Sequence, residues 1–338
     1  MRKATLATHG FFMASLLFAG AVFPVTASTT PLTDAVKQNF DGEIQNNTLA
    51  ISPDEKLAVV ARSGKPEVIV YDLTTGKVSA VLKHYNTPRN IVFAPDGKSF
   101  YVSDSSLGLI ERVDATTFKT AEQYAAGPGA FGTVLSKDGR TLYINNQASN
   151  AVISMNTETK IANAVITGFS QPRQGVRLSP DGRVLYVTNF VSDKITLVDT
   201  AATNKITGEI GGFNKIRAIS VTADGKTLFA ANSGNNTLSV VDTTTQKVTS
   251  TIPVGKQPYG AALSPDGKFV YSGNLGDNSV SVIDVPTRKV IATVTGFNEP
   301  RQAIVFTADN RYAWVLNKDL SLSRIDRETQ RIVSTVKS

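Results

Sequence analysis

Residues 179–200 read SPDGRVLYVTNFVSDKITLVDT. Pro180 presets its own φ, the Asp181 carboxylate can bond local amides and Gly182 accepts a positive φ, so SPDG predicts a tight turn. The runs VLYVT (184–188) and KITLVD (194–199) have the period of two that a strand with two distinct faces requires. GVRLS (175–179) before the turn and KITGEI (205–210) after the second run share that character. The segment and its flanks therefore predict four short antiparallel strands.

The unit recurs along the chain. Its turn aspartate reappears as Asp54, Asp96, Asp138, Asp181, Asp224, Asp266 and Asp309, at intervals of 42, 42, 43, 43, 42 and 43 residues. A second marker, the residue that closes the third strand, keeps step as Asp72, Asp114, Asn156, Asp199, Asp242, Asp284 and Asp326. Four antiparallel strands per unit, with no helical pattern between units, describe one blade. Seven units predict an all-β fold, a seven-bladed β-propeller with four antiparallel strands per blade. An open stack such as a β-helix is the alternative, and the four-strand meander with a finite count favours the closed ring.

LYVTN (185–189) and its echoes FYVSD, LYINN, LFAAN, FVYSGN and YAWVLN resemble the YVTN-repeat β-propellers of bacterial periplasms and cell surfaces, the group that includes YncE-like proteins. The resemblance covers residues 46–338 and implies the fold. It implies no single activity, because one propeller frame carries many functions. Lactonase-like propellers share the seven-bladed frame, which implies a ring-opening hydrolase as an alternative, although no acid, base and arginine trio of this chain matches it.

The ends of the chain read differently from its repeats. Arg2 and Lys3 precede an apolar run from Phe11 to Val25 and small residues around Ala27, the order of a secretory signal cleaved after Ala27. The run is short for a membrane span of about 20 residues, which weighs against the alternative of an N-terminal anchor. Residues 1–27 are thus expected to be a signal peptide, 28–45 a leader and 46–338 the propeller, in a periplasmic or secreted protein with no transmembrane segment once the signal is removed. AVKQNF (35–40) occupies the fourth-strand position relative to Asp54, so it is either a loose leader or a clasp strand on the outer edge of blade seven.

Composition limits the chemistry. The chain has no cysteine, so stability rests on burial and strand pairing even in an oxidising compartment. Loss of Arg2 and Lys3 lowers the formal charge from +7 to +5, a mild basic balance that suits anionic partners. His9 leaves with the signal and His84 stands alone in LKHYNTPRN, so no zinc site is expected. Asp104, Asp193, Asp277, Glu299 and Asp319 are scattered over the candidate face, which argues against calcium. No Walker loop or dinucleotide fingerprint is present. The chain is expected to be a monomer without cofactor, metal or catalytic residues.

Binding residues should stand where the copies differ, on loops held by the scaffold. In a blade the first strand is innermost, and the loop leading into it shares a face with the loop between strands two and three. Just before strand one the blades carry, in order, Asn47, Arg89, Phe131, Arg173, Arg217, Tyr259 and Arg301. Sevenfold geometry turns these toward one axial rim. Four arginines with two aromatics suit an anionic ligand with a flat ring, since the guanidinium fork matches carboxylate or phosphate. The alternative is structural: arginines bonded to neighbouring carbonyls and aromatics filling space. Single-stranded nucleic acid is a further anionic candidate; two aromatics and a modest charge weigh against it. In the second loop set Asn146, Asn189, Asn232, Asn274 and Asn317 read as turn residues that tolerate left-handed backbone and cap local amides. Arg62 and Asp104 break that pattern and join the candidate ligand contacts.

Overall fold

In a computed structural model that describes residues 44–337, the chain forms seven sheets of four antiparallel strands, each sheet built from consecutive strands. The expected signal at 1–27, most of the leader and the clasp at 35–40 lie outside the described residues. Blade four shows the repeat: Pro172–Leu178, Val184–Asn189, Lys194–Asp199 and Lys205–Ile210, in the order of the sequence. Strand two is buried along its length after the first residue, while strand four alternates exposed and half-buried residues. Strands two and three therefore carry each blade's packing faces, and strand four its edge.

The turns behave as their residues require. Gly182 has φ +72, its amide donates to the Ser179 carbonyl at 2.8 Å, and Asp181 Oδ1 accepts from Ser179 Oγ and the Arg183 amide. Between strands three and four Asp199 accepts from the Ala201 and Ala202 amides.

Seven hydrophobic clusters fill the gaps between blades. The one that closes the ring joins Val60 and Tyr71 of blade one to Trp314 and Leu322 of blade seven. RIVSTV forms blade seven's own fourth strand, Arg331–Val336, so the described ring closes by face packing, with the Tyr71 hydroxyl donating to the Leu320 carbonyl across the seam. Two inner strands are shorter than the repeat predicts, Ala262–Leu263 and Ile304–Phe306. In blade six the pairing resumes beyond the short strand, with the Tyr259 amide donating to the Gly273 carbonyl at 2.9 Å and Pro258 bridged to Asn274.

The repeated turns also set the response to acid. Amide and hydroxyl donors hold the carboxyls of twelve turn aspartates below the ordinary aspartate range, Asp181 and Asp199 among them. Native pKa values below the unfolded value of about 3.9 mean a stabilisation that is complete above that pH and lost as pH falls through the native values. Thermal melts should therefore show a level Tm from about pH 6 to about pH 4.5 and a steep decline below about pH 4. A Tm that holds or rises through that lower range would show that these turns contribute nothing.

Candidate functional site

Each residue ahead of strand one is held from behind by the preceding blade. Asn46 Nδ2 donates to the Arg89 carbonyl at 2.6 Å, Ser103 Oγ to that of Phe131 at 2.6 Å, and Asn145 Nδ2 to that of Arg173 at 2.7 Å. The Ala218 amide donates to the Tyr259 carbonyl at 3.3 Å. Where no donor reaches, a glycine lets the backbone come close: a Cβ on Gly175 would lie 2.8 Å from the Arg217 carbonyl oxygen. Anchored main chain fixes where the side chains leave it.

The result is an axial mouth of about 340 Å³, lined by Phe131, Arg173, Arg217, Tyr259 and Arg301 together with Phe190 and residues 44–46. Five of the seven positions singled out in the sequence meet there. Arg89 does not. It is 1% exposed, lies over the Phe131 ring at 4.6 Å, and donates to Ser105 Oγ, the Ile44 carbonyl and Asn46 Oδ1. The reading of Arg89 as a ligand contact is corrected to a buried tie between blade two and the incoming chain. Asn47 lies deeper, on a separate space below the mouth.

Aromatic rings separate the mouth arginines. The Arg173 guanidinium lies 3.5 Å from the centroid of Phe190 and that of Arg217 lies 4.8 Å from it on the same ring's account. Arg217 also stands 4.8 Å from Tyr259, and Arg301 stands 5.1 Å from that ring. Arg173, Phe190, Arg217, Tyr259 and Arg301 thus alternate cation and ring, each contact worth about 0.5–2 kcal/mol. The outer arginines have other partners as well: Arg173 Nη2 donates to Gln171 Oε1, and Arg301 Nη1 to the Gln45 carbonyl, with Glu299 at 4.0 Å. Burial lowers the Arg301 pKa, and the charges of Arg62 and Arg217 add to the effect. Arg217 makes no hydrogen bond or ion pair among the described residues, and its Nε is buried without an acceptor.

Two further assignments change. Asp104, also 1% exposed, accepts from the amides of Asn86, Thr87, Ser106 and Leu107; burial raises its carboxyl against those four donors. It is a loop cap. Arg62 donates to the Lys318 carbonyl and Gln45 Oε1, fastening the mouth's wall from outside. The second-loop asparagines are clamps that act by capping amides, as expected, and not through left-handed backbone: none of the five has positive φ. Asn189 Oδ1 accepts from the Ser170 amide while its Nδ2 donates to Thr196 Oγ1, and Asn232 and Asn317 repeat the arrangement.

Sequence reasoning missed Phe190, Gln174 and the wall at 44–46. Phe190 carried a signal, since the residue after the clamp is Ser63, Ser105, Gln147, Ser233, Leu275 or Lys318 in the other blades. Gln174 forms the floor, donating to Asn90 Oδ1 at 2.6 Å and accepting from Asn46 Nδ2 at 3.1 Å. His84 Nε2 lies 2.6 Å from Glu111 Oε2, and neither residue lines the mouth. Among the described residues no group of three or more histidine or carboxylate side chains is arranged to hold a metal ion.

Comparison with known proteins places this frame. A family model described as "Lactonase, 7-bladed beta-propeller" matches residues 45–215, and one described as "YNCE-like beta-propeller" matches residues 215–334. No curated protein matches. Among solved structures, the chain is similar to one titled hydrazine synthase from Kuenenia stuttgartiensis, at 20% identity and a TM-score of 0.73, over 82% of this chain and 94% of that one. That identity shows a shared fold. With 1789 matching chains of solved structures, the fold carries no activity by itself.

The two kinds of arginine should separate in denaturation experiments. Arg89→Ala leaves Asn46, Ser105 and the Ile44 carbonyl without their donor and should cost about 3 kcal/mol or more. Arg217→Ala removes two ring contacts but no hydrogen bond among the described residues, and relief of repulsion from the flanking arginines offsets part of that loss, so it should cost about 1–2 kcal/mol. Equal losses in urea unfolding would contradict this division.

Proposed function

The chain belongs to the seven-bladed lactonase-type β-propeller family, whose model matches half of its residues, and on that frame we propose a non-catalytic binding scaffold whose axial mouth takes an anion with a flat ring. One observation carries the proposal: Arg217 lies between Phe190 and Tyr259 with its donors unclaimed among the described residues. Guanidinium offers a planar fork matched to carboxylate or phosphate, and a bond to a charged acceptor is worth about 1.5–3 kcal/mol. The aromatic faces supply stacking surface beside it. A mouth of about 340 Å³ suits one ring and its anionic group.

The reading includes export to the periplasm or beyond, supported by the basic start and short apolar run of residues 1–27. It also includes a monomer, with the anion or a protein bearing such a group as partner. Single-stranded nucleic acid is the extended form of the same chemistry. The family's name favours lactone hydrolysis as a second reading; the mouth is lined by no carboxylate or histidine among the described residues to serve as its base.

Calorimetry with AMP, ribose 5-phosphate and adenosine separates the contributions, since the second lacks the ring and the third the charge. AMP should bind most tightly and weaken as salt is raised. Arg217→Ala should lower its affinity by about tenfold to a hundredfold, with a smaller loss of Tm than Arg89→Ala causes. Adenosine binding as tightly as AMP, or AMP binding untouched by Arg217→Ala, would refute the mouth as an anion site. A single-stranded oligonucleotide that outcompetes AMP at low salt would assign the site to the polymer, and turnover of a sugar lactone above its spontaneous rate would favour the hydrolase.

A further inference from the structure

The axial channel continues below Gln174 with different chemistry. A middle space of about 260 Å³ is followed by one of about 430 Å³, which reaches the opposite face beside the turn prolines Pro180 and Pro265. Arg177 lines both. It stands four residues before its blade's turn aspartate, where five other blades carry Ala50, Val92, Val134, Ala262 and Val305 and blade five carries Ser220. One cation is thus set at an otherwise small or apolar level of the channel.

No acid compensates it. The guanidinium makes one hydrogen bond, from Nη1 to the Val176 carbonyl at 2.8 Å, and no carboxylate of the described residues forms an ion pair with it. The channel walls around it lower its pKa by desolvation, while the side chain itself is exposed to channel solvent. Arginine keeps its proton even so. In the adjacent blade the Ser220 hydroxyl is buried, borders the same lower space and has no hydrogen-bond partner among the described residues. Arg177 and Ser220, from two neighbouring blades, border a space whose other walls include Leu178, Leu263 and Phe306.

We propose that the lower chamber is a second binding site, for a monocarboxylate with an apolar body, held at Arg177 and Ser220 with its chain against Leu178, Leu263 and Phe306. The single cation matches a single negative charge, and the guanidinium fork matches the two carboxylate oxygens. Apolar walls reward a hydrocarbon body and give a compact, strongly hydrated anion no further partner. The site is separate from the mouth, because Gln174 and its bonds to Asn46 and Asn90 lie between them.

Octanoate, octanol and inorganic phosphate are the probes, titrated calorimetrically into the full-length protein and its variants. Octanoate should bind with a stoichiometry of one, and octanol and phosphate about tenfold more weakly or worse. Arg177→Leu should reduce octanoate affinity by about tenfold to a hundredfold while leaving Tm nearly unchanged, because the side chain is exposed to channel solvent and makes one hydrogen bond. Ser220→Ala should cost about fivefold, and Arg177→Lys should lose less than Arg177→Leu. AMP binding at the mouth should be unaffected by all three. Octanol binding as well as octanoate, octanoate affinity unchanged in both Arg177→Lys and Ser220→Ala, or Arg217→Ala weakening octanoate as much as Arg177→Leu would each overturn the proposal. The first two outcomes stand even if Arg177→Leu fails to fold.

Discussion

The carbonyl that precedes each inner strand is held by the blade before it, and the rest of the molecule depends on that hold. Seven sheets can surround an axis only if the chain turns inward at the same point in every blade. Asn46, Ser103 and Asn145 enforce the turn with side-chain donors, and blade six enforces it by having glycine where the Arg301 carbonyl presses. No disulfide assists, since the chain lacks cysteine. The ring closes instead through apolar faces, with Val60 and Tyr71 packed on Trp314 and Leu322. Burial of this kind stabilises at roughly 25 cal/mol per Å² of apolar surface without imposing direction. Direction comes from the hydrogen bonds at each blade's inner threshold.

Those anchors explain how several guanidinium groups share one mouth. At separations of a few ångströms like charges repel, but ring faces between them supply attraction to both sides. Phe190 serves Arg173 and Arg217, and Tyr259 serves Arg217 and Arg301. The cations at the ends of the series also reach protein acceptors, whereas the central one reaches none among the described residues. An anion at Arg217 would thus meet a side chain already held in place by stacking, which lowers the ordering cost of binding. At the other end of the channel one cation stands among apolar residues, so the two ends of one scaffold suit different anions.

Much of the architecture was legible because its signals are local. A proline, an aspartate and a glycine decide a turn within four residues, and alternation decides which face of a strand is buried. The site was legible in part. Phe131, Arg173, Arg217, Tyr259 and Arg301 share a repeat position and also share the mouth. Arg89 occupies the same repeat position and turns away, because Ser105, Asn46 and the Ile44 carbonyl offer its guanidinium a complete set of acceptors. Of the two properties read for the second-loop asparagines, amide capping is what the structure uses at Asn189, Asn232 and Asn317, while none of the five adopts left-handed backbone.

The sequence by itself determined the blade, the number of blades and the position in each repeat from which side chains reach the axis. Each of these follows from residues at most one repeat apart, where spacing and alternation leave few conformations open. Only the tertiary structure decided which of the reaching side chains are free. That outcome turns on partners far away along the chain, such as Gln174 against Asn46, 128 residues distant, or Arg301 against Gln45, 256 residues distant. A guanidinium is satisfied or available according to whether a carbonyl from another blade stands within about 3 Å of it. Distances of that kind exist only once the ring has closed.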